Sequence, residues 1–208
     1  VSALDERVTA LVRTSAAVAA WTLGWAEKGD VRWTLVVAAE EAPPEAVEEA
    51  LLQSYLFLGY PAALNALGLW REVSGRESSP ASPWEPAAWE ERGGEVCRTV
   101  YGGQYDGLRD NVRRLHADME RWMVVEGYGK VLARPGLALV DRELCIAAIL
   151  AVTGWSSQLY SHLRGALNAG AGDEEVEEAL ELALAMADER AVTSARRTWG
   201  RVRGRRDG

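Results

Sequence analysis

Cysteine is nearly absent from this chain. The 208 residues hold two, Cys97 and Cys145, far apart and in no Cys-x-x-Cys arrangement. That excludes a disulfide framework and a thiol-pair redox motif, and it suits a protein kept in the reducing cytoplasm. Histidine is equally scarce, and His116 and His162 lie too far apart in sequence to suggest a metal-ligand set. Basic charge is in deficit: 23 Lys and Arg stand against 31 Asp and Glu, a formal net charge of -8. Such a surface repels a phosphate backbone, so nucleic acid is not the expected partner. No uninterrupted apolar run is long enough to span a bilayer, and no membrane association is expected. The apolar stretch 14–23 follows the acids Asp5 and Glu6 and leads to no clear cleavage site, so it reads as a buried helix rather than a secretory core. Alternation of the strand type is also missing. Only 31–37 is β-branched enough to make a strand conceivable, and its repeat counterpart, 160–166, reads as helix.

What is present is hydrophobic residue at 48% of positions, enough for one sizeable core or two small ones sharing an interface. One Phe against nine Trp points to large buried anchors or subunit contacts. Arg190, Arg196, Arg197, Arg201, Arg203, Arg205 and Arg206 gather near the end and read as a solvated tail or an oligomer contact.

The chain also resembles itself. Glu45-Ala-Val-Glu-Glu-Ala-Leu51 returns as Glu174-Glu-Val-Glu-Glu-Ala-Leu180, an offset of 129 that, without a gap, also pairs Arg13 with Arg142, Trp70 with Trp199 and Val73 with Val202. Shared helical composition accounts for some of this, but not for the paired Trp, so duplication is the better explanation. The expected organisation is a first repeat at 1–73, a turn-rich linker at 74–103 containing Ser-Gly-Arg-Glu-Ser-Ser-Pro-Ala-Ser-Pro, and a connecting helix with the second repeat at 104–208.

Each repeat reads as helices. Val176, Ala179, Leu180, Ala183, Leu184 and Ala187 recur at three- and four-residue intervals and line one helical face, with Asp173 placed to cap it. Pro43 and Pro44 open the corresponding helix in the first repeat. Leu108, Val112, Leu115, Met119, Trp122 and Met123 form a further stripe ending near Gly127 and Gly129. The fold class is therefore all-α.

Three stretches together resemble the carboxymuconolactone decarboxylase and alkylhydroperoxidase-D-like family. They are Phe57-Leu-Gly-Tyr-Pro-Ala-Ala-Leu-Asn-Ala66; Tyr128-Gly-Lys-Val-Leu-Ala-Arg-Pro-Gly-Leu137; and the run from Asp141-Arg-Glu-Leu-Cys-Ile-Ala-Ala148 through Gln158-Leu-Tyr-Ser-His162 and Gly165-Ala-Leu-Asn-Ala-Gly170 to Asp173-Glu-Glu-Val-Glu-Glu178. The resemblance implies an alkylhydroperoxidase-D-like helical fold, here of two repeats related by a pseudo-twofold. It implies site residues Glu143 and His162, and assembly into a ring, with a trimer expected. The thiol-peroxidase branch places cysteines where this chain has Trp155 and Gln158, and thiolate attack followed by disulfide formation needs sulfur at both. Peroxidase activity is therefore disfavoured.

His162 can exchange a proton near neutral pH, and Glu143 on its Nδ1 would hold the tautomer. Gln158, four residues before His162, shares its helical face and can bond a substrate carbonyl; Trp155 can floor the pocket. Arg142 or Arg164 can hold a substrate carboxylate. Tyr60 of the first repeat can complete a composite site, since that repeat keeps Gly59, Tyr60 and Pro61 but has Thr14 and Trp33 where the second has Glu143 and His162. One reading is thus a lyase on a small lactone or keto acid needing neither cofactor nor metal. Its rival is a non-catalytic binding or assembly module, and a weaker third is a nucleic-acid binder using the arginine-rich end. His116, Cys97 and Cys145 read as structural.

Overall fold

The computed structural model describes residues 2–204, and among them the regular structure is entirely helical. Eleven α-helices are present: α1 (Glu6–Thr22), α2 (Lys28–Glu41), α3 (Pro44–Gln53), α4 (Tyr55–Ser74), α5 (Pro86–Tyr101), α6 (Tyr105–Leu115), α7 (Ala117–Trp122), α8 (Leu139–Thr153), α9 (Ser156–Asn168), α10 (Asp173–Leu184) and α11 (Glu189–Arg203). A π-helical stretch, Met123–Leu132, runs between α7 and α8.

Two helices form the centre. In α1 every residue of 14–20 is buried, and in α8 every residue of 141–152. Helices buried on all sides belong in the middle of a core, and their alanines let neighbouring backbones come close. They pack on each other, α1 also against α2 and α10, α8 also against α9 and α10. The amphipathic helices lie outside them. Trp70 of α4 and Trp199 of α11, paired by the sequence offset, are both buried.

Local sequence explains the helix ends. Asp5 caps α1 by accepting from the Val8 N–H at 2.7 Å, and Asp188 caps α11 through Ala191 at the same distance. Pro43 and Pro44 open α3 as expected. At α10 the expectation shifts by one residue: Gly172 is the cap, and Glu175 reaches back to its N–H at 2.6 Å, while Asp173 begins the helix.

The segment read as a linker is half helix. Residues 76–85 are irregular, but α5 follows, burying Trp89, Gly93, Gly94, Cys97 and Val100. It lies directly on the π-helical stretch. A Cβ at Gly93 would collide with the carbonyl oxygen of Val124, and one at Gly129 with that of Trp89, so only glycine permits this crossing. The Leu108 to Met123 stripe is likewise not one continuous helix. It breaks at His116, whose Nδ1 accepts from the Asp118 N–H at 3.2 Å and starts α7, a structural role as expected.

An ion cluster joins the first half of the chain to the second. Arg142, with no exposed surface, donates to Glu49 at 2.8 Å and to the carbonyls of Arg134 at 3.0 Å and Leu137 at 3.2 Å, and Arg134 donates to the same carboxylate. Glu49 comes from α3. Without it, Arg142 in α8 and Arg134 in the connection before it would lack a counter-charge.

Candidate active site

Glu143 stands one turn into α8, inside the fully buried run, and His162 lies in the middle of α9, where that helix crosses it. The imidazole Nδ1 and the carboxylate Oε2 are 2.8 Å apart, Glu143 completely buried and His162 6% exposed. Helical spacing makes this possible. Gly165, three residues beyond His162, lies on the same face of α9. A Cβ there would overlap Oε2 of Glu143 and come within 2.7 Å of the Val100 side chain. Glycine lets α9 seat against α8.

The other oxygen of the carboxylate, Oε1, is buried and has no hydrogen-bond partner. Its surroundings come from α5 and the π-helical stretch. The hydroxyls of Tyr101 and Tyr128 meet at 3.1 Å. Burial, with the charge of Glu143 adding to it, pushes Tyr101 up to about 12, although its bond to Tyr128 acts the other way. Burial, then Tyr101 and Glu143, also carry Tyr128 well above its ordinary range. The Cys97 thiol is driven to about 12 mainly by burial, opposed in part by Arg109. Both phenols and this thiol therefore keep their protons at neutral pH. Asn168 fixes α5 to α9 by donating to the Val100 carbonyl at 2.8 Å.

The remaining face of His162 is closed by Phe57. The two rings meet edge to face, centroids 5.5 Å apart and planes at 87°. Phe57 belongs to α4, just before the break that Gly59 and Pro61 impose. Gly59 has φ 81 and ψ 168, a region open essentially to glycine, and proline removes the next N–H. At the break Tyr60 and Pro61 are exposed, and α4 then returns to the core with Ala62, Ala63, Ala66, Leu69 and Trp70.

The structure thus brings together two of the residues expected at the site and leaves the others elsewhere. Tyr60 is 63% exposed and stacks on Tyr55 at 5.1 Å; the first-half residue that touches His162 is Phe57, three positions earlier. Arg142 is consumed by Glu49 and the backbone carbonyls, pointing away from the role of carboxylate holder. Gln158 is exposed, and no side-chain bond from it reaches His162. Trp155, 61% exposed, faces a different cleft, bounded by Trp25 and α11. Arg164 lines a cavity of about 220 Å³ with Tyr101, Ser161, Gln104 and Asn111, next to the helix that carries His162. At the positions that the 129-residue sequence offset pairs with Glu143 and His162, Thr14 is buried and reaches the Thr34 carbonyl at 3.4 Å, while Trp33 is 60% exposed. Phe57, Gly165, Tyr101 and Tyr128 are the site-forming residues not singled out from sequence. Three lay inside the quoted motifs, and the His-x-x-Gly spacing is the signal that marks Gly165. Among the described residues, no three of His, Cys, Asp or Glu gather as a metal-binding group.

Residues 121–199 match the model of the carboxymuconolactone decarboxylase family, and this stretch contains both Glu143 and His162. This part of the chain is similar to that family. A curated relative, Peroxisomal protein 2 of Schizosaccharomyces pombe, is 29% identical over 151 residues, which cover 69% of each protein. The matched residues span the π-helical stretch and α8 to α10, with most of α11. Among the described residues, no helix is long and apolar enough to cross a membrane.

Proposed function

We propose that this protein is a cofactor-independent acid–base catalyst acting on a small lactone or keto acid, with His162 transferring the proton and Glu143 holding the imidazole. One observation carries the reading: a wholly buried carboxylate bonded through Oε2 to His162 Nδ1 at 2.8 Å, its Oε1 left without a partner. A buried polar atom left unsatisfied costs about 1–3 kcal/mol and is kept where it serves a purpose. An ionised Glu143 accepts from the Nδ1–H and leaves the Nε2 lone pair free to take a proton, and it stabilises the imidazolium that results. For a lactone acid, loss of carbon dioxide leaves the electron pair on an enolate carbon, and the imidazolium supplies the proton that completes the product. Phe57 shields the ring from water, and Arg164 offers positive charge for a second carboxylate.

Thiol peroxidase chemistry finds little support in the residues. Cys145, like Cys97, is buried and its thiol is pushed up to about 12, chiefly by burial. Two such unpaired thiols suit a reducing compartment, and cytoplasmic location is our proposal; the peroxisomal name describes the relative.

We also read the halves as repeats in one compact unit. α1 to α4 and α8 to α11 follow in the same order near the 129-residue offset, which supports that reading. Self-association as a trimer is proposed on Leu115, Met119 and Trp122, large apolar side chains at 84%, 54% and 54% exposure.

The test is turnover of a panel of lactone and keto acids by the protein and by His162→Ala. Loss of activity in the variant is expected; equal turnover by both removes His162 from the mechanism. A non-catalytic binding module is the second reading, favoured by Gln158 turning to solvent, and inactivity of both proteins across the panel would establish it.

A further inference from the structure

The chain leaves α1 and α8 in the same way. Each helix ends in a glycine at positive φ, Gly24 at 74 and Gly154 at 75, followed at once by tryptophan. The Trp25 N–H returns to the Ala20 carbonyl at 2.9 Å, and the Trp155 N–H to that of Leu150 at 3.2 Å. The glycine N–H groups bond to Trp21 and Ala151, completing the paired hydrogen bonds of a left-handed helix stop. Two indoles are thereby fixed on rigid backbone, yet stay 45% and 61% exposed. They line one cleft of about 650 Å³, in the size range of small-ligand sites.

The opposite wall is α11. Arg190, Ser194 and Arg197 succeed one another at four- and three-residue steps, so they share the helix face that lines the cleft. Other arginines of α11 are engaged elsewhere: Arg196 grips Glu181 at 2.9 and 2.7 Å, Arg203 reaches Glu177, and Arg201 lies over the Tyr160 ring. Arg190 and Arg197 form no ion pair with any described carboxylate. Asp188, at the cleft edge, is occupied in capping α11. In a chain of net charge -8, two unneutralised arginines on one helix face, lining the same cleft as two fixed indoles, form a site complementary to flat, negatively charged molecules.

We propose that this cleft binds a planar organic anion, the ring lying against Trp25 and Trp155 and the carboxylate held by Arg190 and Arg197. None of its lining residues belongs to the His162–Glu143 pair, so the site is independent of the proposed catalysis.

Isothermal titration of the full chain with 2-naphthoate at low salt tests it. Binding is expected, weakening by about tenfold in Arg190→Gln/Arg197→Gln and again in Trp155→Ala, and unchanged in His162→Ala. All four arginine and tryptophan side chains are exposed, and unaltered circular dichroism checks that the variants fold. Cyclohexanecarboxylate and inorganic phosphate should bind more weakly than 2-naphthoate. The proposal is overturned by absence of binding, by equal affinity in the arginine variant, by phosphate matching 2-naphthoate, or by loss of binding in His162→Ala. A tryptophan emission that shifts on dilution without ligand would assign the cleft to a second copy of the chain and equally overturn it.

Discussion

Gly165 of α9 and Glu143 of α8 are packed so closely that a Cβ on the glycine would overlap Oε2 of the carboxylate. Gly165→Ala should push Glu143 from His162 or lift α9 from α8. Overpacking of this kind costs about 1–3 kcal/mol. Gly68→Ala in α4, where an added Cβ meets nothing within 4 Å, should instead stabilise by about 0.5–1 kcal/mol. Thermal melts of the two variants moving in opposite directions would bear this out; a neutral Gly165→Ala would show the helix contact to be looser than described.

Glu143→Gln keeps the side-chain volume but removes the charge that steadies an imidazolium. On an accepted substrate it should lower kcat by about a hundredfold with little change in KM, because the lost interaction belongs to the transition state. Steady-state kinetics separate the two constants, and a change confined to KM would make Glu143 a binding residue.

Stability should fall on the alkaline side. Burial raises the Cys97 and Cys145 thiols from 9.0 to about 12 in the folded chain, so the unfolded thiols ionise first. Their contribution is complete below about pH 9 and is lost as pH climbs toward 12, at no more than about 1.4 kcal/mol per pH unit for each group. Urea unfolding between pH 8 and 11 should show this slope, and Cys97→Ala/Cys145→Ala should flatten it. Neither thiol should react with a disulfide reagent at pH 8 until the protein is unfolded.

Removing Glu49 strands Arg142, and a buried charge without its partner costs about 3–5 kcal/mol. Glu49→Leu should therefore destabilise more than the double variant Glu49→Leu/Arg142→Met, which leaves only the partly exposed Arg134 to find water. Chemical denaturation of the single and double variants measures the coupling. Equal losses would mean that the cluster is better hydrated than its burial implies.

Most helices were legible because they rest on periodicity, which survives in sequence, and the Glu143–His162 pair because the resemblance to a known family implied it. α5 was not. Its buried face is Trp89, Gly93, Cys97 and Val100, two of them small or lacking a side chain, so no hydrophobic stripe stands out from the turn-rich stretch before it. Phe57 and Tyr60 show a different limit. They flank one backbone break, and only the torsion at Gly59 decides which ring turns inward. Arg142 illustrates a third: it adjoins Glu143 in sequence, but a single helical step directs it to Glu49 instead.

The crossing of α5 over the π-helical stretch has a consequence for how the surroundings of Glu143 tolerate change. At Gly93 and Gly129 the two backbones touch without intervening side chains, so their separation is set by van der Waals radii rather than by rotamers that can relax. Cys97, Val100 and Tyr101 inherit their distance from Glu143 through that contact. Residues can be exchanged along this wall and its polarity altered, while the wall itself stays in place as long as two hydrogens remain hydrogens.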